Sequence, residues 1–218
     1  THSLFVAGAL RPHILTKPMH TVPLGAYSGF CAPVLRAERS LAPLRLLFMG
    51  RIEDHKGLIV LLAAFRAARE RGAAIFLTVA GDGPLSSMVL RDFEGPGIRL
   101  ERRWIGDDEL CLFLADADIV VLPYLRATQS GVISHALASG LPVIASRVGG
   151  LPEQVIHGTT GLLVAPGDSA DLADAIVLCA AHPDMVRRFG DNARHIGETS
   201  LSWKPAARLA DALQKSAA

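Results

Sequence analysis

Apolar runs of strand length recur along most of the chain and alternate with stretches of helical character. The runs cover residues 44–49, 75–80, 98–100 continuing to 105, 119–122, 142–145 and 161–164. Most of these runs are almost continuously apolar, which is typical of strands covered on both faces of a sheet. Strands that alternate with helices form parallel sheets. The sequence therefore predicts an α/β fold, a Rossmann-like doubly wound parallel sheet flanked by helices.

The stretches between the runs carry helix signals at their ends. Residues 55–71 are apolar in their first half and end in arginines and a glycine, which is typical of a helix C-terminus. Asp107 begins another predicted helix, and Asp168 caps a third. We also expect Pro84 to open a helix at its first position and residues 132–139 to form the helix after the fourth run.

The pattern changes near residue 43. Prolines recur up to this point with glycines between them, and proline interrupts helices and strands alike. We therefore expect residues 1–43 to be a connector or the remnant of another domain. Residues 44–200 are expected to form the Rossmann-like domain.

Composition and charge exclude several classes of protein. Hydrophobic residues make up 50% of the 218 residues, enough to fill a core. The 22 basic and 21 acidic residues nearly cancel, so we expect no nucleic acid as a partner. The longest apolar run, residues 58–65, is too short for a spanning helix. We therefore expect no transmembrane segment, and we see no signal peptide at the start of the chain.

The three cysteines, Cys31, Cys111 and Cys179, are widely spaced and form no CxxC pair. An odd and sparse set of cysteines is typical of a reduced compartment rather than of a disulfide framework. We expect three buried thiols and a cytoplasmic location.

The loop after the first run contains two cations, Arg51 and Lys56, at the start of a helix. Ligands of doubly wound sheets bind outside the carboxyl ends of the strands, where loops and helix N-termini meet anions. Arginine can clamp a diphosphate with its fork of donors, and lysine adds a point charge. Both residues are candidates for diphosphate binding. The alternative is that they are solvated charges that pair with Glu53 and Asp54.

The loop after the fourth run adds a second anion-binding signal. Gln129, Ser130, Gly131 and Val132 place small side chains and N–H groups at a helix N-terminus. An ordinary serine cap would explain Ser130 but not the polar run before it. Two loops that favour phosphate therefore lie at one edge of the predicted sheet.

Other loops give weaker signals. Gly83 belongs to a tight turn that brings backbone close to a ligand, although a plain strand-to-helix connection uses the same residues. Ile105 is expected to offer its backbone to a nucleobase, beside a half-buried Trp104. Glu153 either caps a short helix or meets a sugar hydroxyl, and the structural role is favoured.

Together these motifs resemble the C-terminal domain of family 4 glycosyltransferases. The resemblance rests on residues 50–57, 81–84, 136–153 and 158–164, which agree in order and spacing. It implies a GT-B architecture, in which two Rossmann-like domains face across a cleft and the C-terminal one holds the donor nucleotide sugar. Arg51 and Lys56 would then bind the donor diphosphate and stabilise the leaving nucleotide, with no metal or other cofactor expected. Residues 201–218 would form a helix that closes toward the N-terminal domain of the same enzyme.

The chain departs from this family at two positions. Members commonly carry two glutamates eight residues apart, which meet the donor sugar and the nucleotide ribose, and here these positions are Ala127 and His135. The resemblance implies that the loop can still contact a sugar through its backbone and Gln129. His135 either bonds a ribose hydroxyl or is a partly buried structural histidine.

The sequence thus predicts a group 1 glycosyltransferase domain that binds a UDP-, GDP- or ADP-sugar. By the same resemblance it transfers a hexose-type unit to an unknown acceptor with retention of configuration, and the isolated fragment binds nucleotide without turnover. No catalytic residue is assigned. The missing glutamates leave a non-catalytic nucleotide-binding or regulatory module as the alternative, and a nucleotide-sugar epimerase ranks last because it needs acidic residues in the cleft. Peripheral membrane attachment, if any, belongs to the other half.

Overall fold

A sheet of six strands forms the centre of the structure, a computed structural model that describes residues 1–13, 19–22, 24, 31, 40–84, 91–93, 95–199 and 207. The strands are β1 (Leu44–Met49), β2 (Ile75–Gly81), β3 (Ile98–Arg102), β4 (Ile119–Leu122), β5 (Val143–Ser146) and β6 (Gly161–Val164). Their order across the sheet is β3-β2-β1-β4-β5-β6, and all neighbours are parallel. The predicted α/β fold, a Rossmann-like doubly wound parallel sheet, is confirmed.

Three strands have the predicted bounds, and the other three differ at their ends. β2 continues to Gly81, and β5 starts after Pro142, which has no N–H to donate to the ladder. β3 ends at Arg102 instead of continuing to residue 105. The next N–H group, that of Arg103, is shared between the carbonyl oxygens of Gly81 and Glu101, which turns the chain away from the sheet.

The helices alternate with the strands as the pattern predicts. Within the described residues they are α1 (Leu4–Leu10), α2 (Leu58–Glu70), α3 (Asp107–Asp116), α4 (Gly131–Ala138), α5 (Leu151–Gln154), α6 (Ser169–Ala181) and α7 (Pro183–Glu198). Asp107 begins α3 as predicted, and α4 begins one residue before the predicted start. The Asp168 side chain caps α6 by accepting hydrogen bonds from the N–H groups of Ala170 and Asp171. Of the helix expected after Pro84, the structure describes only Arg91 and Asp92, which are helical.

The helix predicted at residues 55–71 is interrupted near its start. Asp54–Lys56 form a separate 3-10 turn, and Gly57 has a φ of 69°, a left-handed conformation that ends this turn. A Cβ atom on Gly57 would lie 1.9 Å from the carbonyl oxygen of Pro123, so the close approach of the two loops requires glycine. The prediction was wrong here because nothing local in the sequence shows this contact. The break places Lys56 in a loop at the edge of the sheet.

Helices cover the sheet, with α2 packed against α6 and α4 packed against α7. Strands β4, β5 and β6 are buried along their whole length, whereas no residue of the edge strand β3 is fully buried. Phe189 of α7 is also buried in the core.

Two of the three cysteines are not the free thiols that we expected. Cys31 and Cys111 form a disulfide with a Cα–Cα distance of 5.2 Å, although 80 positions separate them in the sequence. Their wide spacing gave no sign that α3 presents Cys111 to the segment that contains Cys31. Cys179 is the buried thiol that we predicted, and burial raises its pKa to about 12.

The N-terminal helix α1 is bonded to the sheet domain through Glu153. Its two carboxylate oxygens accept hydrogen bonds from the N–H groups of Leu4 and Phe5, at 2.7 and 2.8 Å. Glu153 therefore has the structural role that we favoured, but it caps α1 and not its own helix α5. The domain division at residue 43 stays a prediction. So does the closing helix of residues 201–218, which lies outside the described part of the chain except for Ala207.

Candidate functional site

The loops that follow β1 and β4 meet at the centre of the sheet. β1 and β4 are neighbours, and the chain continues outward from them in opposite directions, through β2 to β3 and through β5 to β6. Loops that diverge in this way leave a crevice at the carboxyl edge of a parallel sheet, where ligands bind. A cavity of about 480 Å³ lies at this point.

The cavity brings together eight of the nine residues singled out from the sequence. These are Arg51, Lys56, Ile105, Gln129, Ser130, Gly131, Val132 and His135. The wall is completed by Met49, Gly50, Ala80, Gly81, Asp82, Trp104, Leu110 and Tyr124. The lining residues come from the ends of four neighbouring strands, which explains why residues far apart in the sequence share one cavity.

Gly83 is the exception and does not line the cavity. Its φ is 154°, and a Cβ atom would lie 2.1 Å from the carbonyl oxygen of Ile52. Its N–H group donates a hydrogen bond to Oδ1 of Asp82, at 2.9 Å. Gly83 thus allows two loops to pass close together, which is the plain connecting role that we had kept as its alternative.

Arg51 is an exposed residue of the cavity wall that pairs with Glu53. Its Nη2 atom lies 2.8 Å from Oε1 of Glu53, and its side chain is 79% exposed. The other oxygen of Glu53 lies 3.1 Å from Nδ1 of His55, so one carboxylate contacts two basic side chains. Exposed ion pairs contribute only about 0–1 kcal/mol. Arg51 can therefore exchange this partner for an anionic ligand at little cost.

Lys56 is half-buried in the cavity wall and forms no ion pair with a described residue. Its Nζ atom lies 3.9 Å from the centre of the Tyr124 ring. Burial lowers the pKa of Lys56; the negative charge of Glu53 opposes this shift and the positive charge of Arg51 adds to it. A cation held partly out of water without a direct ion pair would gain from an anionic ligand in the cavity.

Tyr124 is a residue of the cavity that the sequence interpretation missed. It is only 1% exposed, and its hydroxyl is hydrogen-bonded with Ser130. Burial raises the pKa of Tyr124 to about 12, so the phenol is neutral near pH 7. The available signal was an aromatic residue directly after a buried strand, where a parallel sheet places its site residues.

The N-terminus of α4 faces the cavity without a side-chain cap. Ser130 occupies the N-cap position, but its hydroxyl makes no capping hydrogen bond. Instead the Ser130 N–H donates to Oε1 of Gln154 at 2.9 Å, and Nε2 of Gln154 donates to the Ser130 carbonyl at 3.0 Å. No described residue accepts a hydrogen bond from the N–H groups of Gly131 or Val132. The structure therefore does not show the ordinary serine cap, and these two donors can meet an anion.

Gln129 adds a third unused donor to the same wall. Its Nε2 atom is buried and has no hydrogen-bond partner among the described residues. Buried amide groups without a partner are rare, because each one costs about 1–3 kcal/mol. A ligand oxygen in the cavity would satisfy this group.

The lining of the cavity also includes Trp104, Ile105 and His135. Trp104 is 77% exposed rather than half-buried as expected, because β3 ends early and the indole lies beyond the sheet. Burial lowers the pKa of His135, with partial opposition from Asp107. The imidazole is therefore mainly neutral near pH 7 and can share a hydrogen bond with a hydroxyl group.

Ala127 does not line this cavity but belongs to a neighbouring one of about 640 Å³. Within the part of the chain that the structure describes, no three or more His, Cys, Asp or Glu side chains are grouped so as to hold a metal ion. The described helices include none with the length and apolar character needed to cross a membrane.

Comparison with known proteins relates this fold and cavity to one family. The model of the family described as glycosyl transferases group 1 matches residues 43–182. The glycogen synthase of Mycobacterium tuberculosis is 32% identical over 168 residues, which cover 76% of this chain and 41% of that protein. The chain thus spans less than half of the length of this relative.

Solved structures agree with this assignment. The sucrose-phosphate synthase of Thermosynechococcus elongatus superposes with a TM-score of 0.81 at 27% identity, over 99% of this chain and 57% of that one. Anabaena HepE in complex with UDP-glucose superposes with a TM-score of 0.69 over 79% of this chain and 49% of that one, and its 21% identity supports the fold alone. The chain belongs to the group 1 glycosyl transferases, and its structural neighbours are glycosyltransferases of the GT-B fold.

Proposed function

We propose that this chain is the donor-binding half of a GT-B glycosyltransferase and holds the diphosphate of a nucleotide sugar in the cavity between β1 and β4. One observation carries the proposal: the half-buried ammonium group of Lys56 and the uncapped N-terminus of α4 line the same cavity. One supplies a full positive charge and the other supplies two N–H donors and a helix dipole. A diphosphate satisfies both.

The same groups account for catalysis by charge stabilisation. When the bond between sugar and diphosphate breaks, negative charge develops on the departing phosphate oxygens. Arg51, Lys56 and the N–H groups of Gly131 and Val132 are positioned before the reaction to stabilise that charge. From the family resemblance we further propose that the transferred unit is of the hexose type and that the transfer retains its configuration.

The remaining lining residues suit the nucleoside. Trp104 offers an exposed aromatic face, Ile105 offers backbone, and the neutral ring of His135 can bond a ribose hydroxyl. The proposed donor is a UDP-, GDP- or ADP-sugar. One structure of this fold, that of Anabaena HepE, is a complex with UDP-glucose. The chain spans 41% of the glycogen synthase that it matches. By the family resemblance, most of the acceptor site belongs to an N-terminal domain outside that span, so we expect the chain to bind donor without sugar transfer.

Calorimetric titration of the chain with UDP, GDP and ADP tests this proposal. Each titration is run with EDTA and again with magnesium. Arg51 and Lys56 should bind the diphosphate under both conditions. The double variant Arg51→Gln, Lys56→Met should lose the binding. The matched control Arg188→Gln removes one positive charge from an exposed site on α7 and should bind like the parent chain.

Two results would contradict the proposal. Binding of no nucleotide by a folded chain would mean that this cavity is not a donor site. Binding that survives unchanged in the double variant would place the nucleotide elsewhere on the chain.

A second candidate is a non-catalytic nucleotide-binding module of the same fold. Ala127 and His135 favour it, because neither residue has the carboxylate that the family commonly carries at these positions. A regulatory nucleotide site would bind UDP and UDP-glucose equally. A donor site also contacts the sugar, so the two affinities should differ.

A further inference from the structure

A second cavity lies beside the proposed donor site and is built from the same two loops. Its volume is about 640 Å³, and its wall includes His55 from the loop after β1 and residues 125–128 from the loop after β4. His55 directly precedes Lys56, and residue 128 directly precedes Gln129. The second cavity therefore adjoins the diphosphate-binding groups, where a transferred sugar or an acceptor would lie.

The described wall of this second cavity contains basic side chains and no carboxylate. The basic groups are Arg126 and His55, and the rest of the wall is Phe5, Leu125, Ala127, Thr128, Val148 and Gly149. Ala127 stands where the resembled family commonly has a glutamate. The carboxylate of Glu153 is occupied, because both its oxygens accept hydrogen bonds from the start of α1.

Arg126 is the arginine in the described wall of the second cavity, and it shares its lack of an ion pair with other exposed arginines such as Arg102 and Arg188. Carboxylates lie within 4.0 Å of Arg45, Arg51, Arg66, Arg71, Arg99, Arg103 and Arg187. Arg126 is exposed, lines the second cavity and forms no ion pair with a described residue. Its guanidinium group keeps its full charge at any ordinary pH and matches the geometry of a carboxylate or a phosphate.

His55 is held in the wall at two points. Its Nδ1 atom lies 3.1 Å from Glu53, and its carbonyl oxygen accepts a hydrogen bond from the Leu125 N–H at 2.8 Å. The contact with Glu53 orients the ring and leaves Nε2 for a ligand, since no described residue bonds to that nitrogen. His55 therefore adds an oriented polar group beside Arg126.

We infer that the second cavity binds an anionic group, a carboxylate or a phosphate, carried by the transferred sugar or by the acceptor. This inference rests on the proposed function, which places a nucleotide sugar next to the cavity. Arg126 acts as a residue that determines specificity: it selects for negative charge where a glutamate in the usual position would disfavour it.

Two pairs of probes test the inference and distinguish an anionic group on the transferred sugar from one on the acceptor. UDP-glucose and UDP-glucuronate differ only in a carboxylate on the sugar, so their affinities report an anion on the donor. Glucose and glucose 6-phosphate, added to the chain saturated with UDP, report an anion on the acceptor. In one of the two pairs we expect the anionic member to bind more tightly by about fivefold at low salt, the effect of one exposed ion pair.

Variants assign the effect to Arg126. Arg126→Gln should abolish the preference, Arg126→Lys should retain part of it, and Arg188→Gln should leave it unchanged. Arg126→Gln should also leave the affinity for UDP itself unchanged, because the nucleotide occupies the other cavity. If neither pair shows a preference that depends on Arg126, the inference is overturned. If the parent chain binds no UDP, the proposed donor site is refuted instead. Binding of glucose 6-phosphate that depends on Arg126 would in that case support an anion site in the second cavity alone.

Discussion

The burial of Lys56 leads to a prediction that couples affinity to stability. Lys56 is half-buried, lies 3.9 Å from the centre of the Tyr124 ring and has no carboxylate partner among the described residues. Methionine has a similar length and makes favourable contacts between sulfur and aromatic rings, so Lys56→Met removes the charge while keeping the packing. We expect this variant to bind nucleoside diphosphate more weakly and to be more stable than the parent chain.

The expected loss of affinity follows from the burial of the ammonium group. A hydrogen bond to a charged group contributes about 1.5–3 kcal/mol. Loss of this interaction should raise the Kd for the bound nucleoside diphosphate roughly 10- to 150-fold. Arg51→Gln removes a cation that is 79% exposed and already paired, so we expect an increase of at most about fivefold. Calorimetric titration of both variants at one salt concentration measures these values.

The expected gain in stability follows from the sign of the pKa shift. Burial lowers the pKa of Lys56, so the folded state disfavours the charged form that the unfolded chain carries at neutral pH. This destabilisation is fully present below the folded pKa and disappears as the pH rises toward the unfolded pKa. Lys56→Met should therefore raise the Tm at pH 7, as measured by scanning calorimetry, with a smaller gain at higher pH.

Two results would refute this reasoning. If Arg51→Gln weakens binding more than Lys56→Met, the exposed cation dominates and burial does not decide the affinity. If Lys56→Met lowers the Tm at pH 7, the ammonium group stabilises the folded state, and its attraction to Glu53 outweighs the cost of burial. Arg188→Gln controls for net charge in both measurements.

Three further predictions concern other contacts of the structure. Gln154→Leu removes two hydrogen bonds to the backbone at the start of α4, so urea unfolding should show a loss of about 2–4 kcal/mol together with weaker nucleotide binding. Native chain treated with iodoacetamide should remain unlabelled, whereas reduction should expose Cys31 and Cys111 but not the buried Cys179. In a spectrophotometric titration Tyr124 should ionise near pH 12; its contribution to stability is complete below pH 10 and is lost as the pH rises through 12.

Controls and contrary outcomes accompany these three measurements. Gln154→Glu keeps one acceptor and should lose less stability than Gln154→Leu; equal losses would argue against the paired amide contact. Labelling of the unreduced chain would show that the disulfide does not form. Tyr124→Phe should delete the ionisation step near pH 12, and a step that persists would belong to another group.

Most of the sheet could be predicted because the signal for a buried parallel strand is local. A strand covered on both faces is apolar at nearly every position, as residues 119–122 and 161–164 are, whatever its neighbours. Errors arose where a distant contact decides the end of an element. Gly57 breaks the helix predicted at residues 55–71 because another loop passes close to it. β3 ends early because its neighbour β2 ends at Gly81, the partner of Arg102.

Much of the candidate site could be predicted for a related reason. Parallel strands place all their carboxyl ends at one edge, so the residues directly after the apolar runs must be near one another. Arg51, Lys56 and the residues that begin α4 were identified in this way. Tyr124 was missed because an aromatic residue after a strand is usually part of the core. Tyr124 is buried in the core, and only the tertiary structure shows that it also lines the cavity.

The sequence by itself determined the order of strands and helices, the chemistry of the loops and the resemblance to a family, since these depend on residue types and spacing along the chain. The tertiary structure alone decided which side chains share a partner. It joined Cys31 to Cys111, bonded Glu153 to α1 and left Lys56 without an ion pair to a described residue. Such contacts link residues far apart in the sequence, and their free energies depend on distance and burial, which have no local signal along the chain.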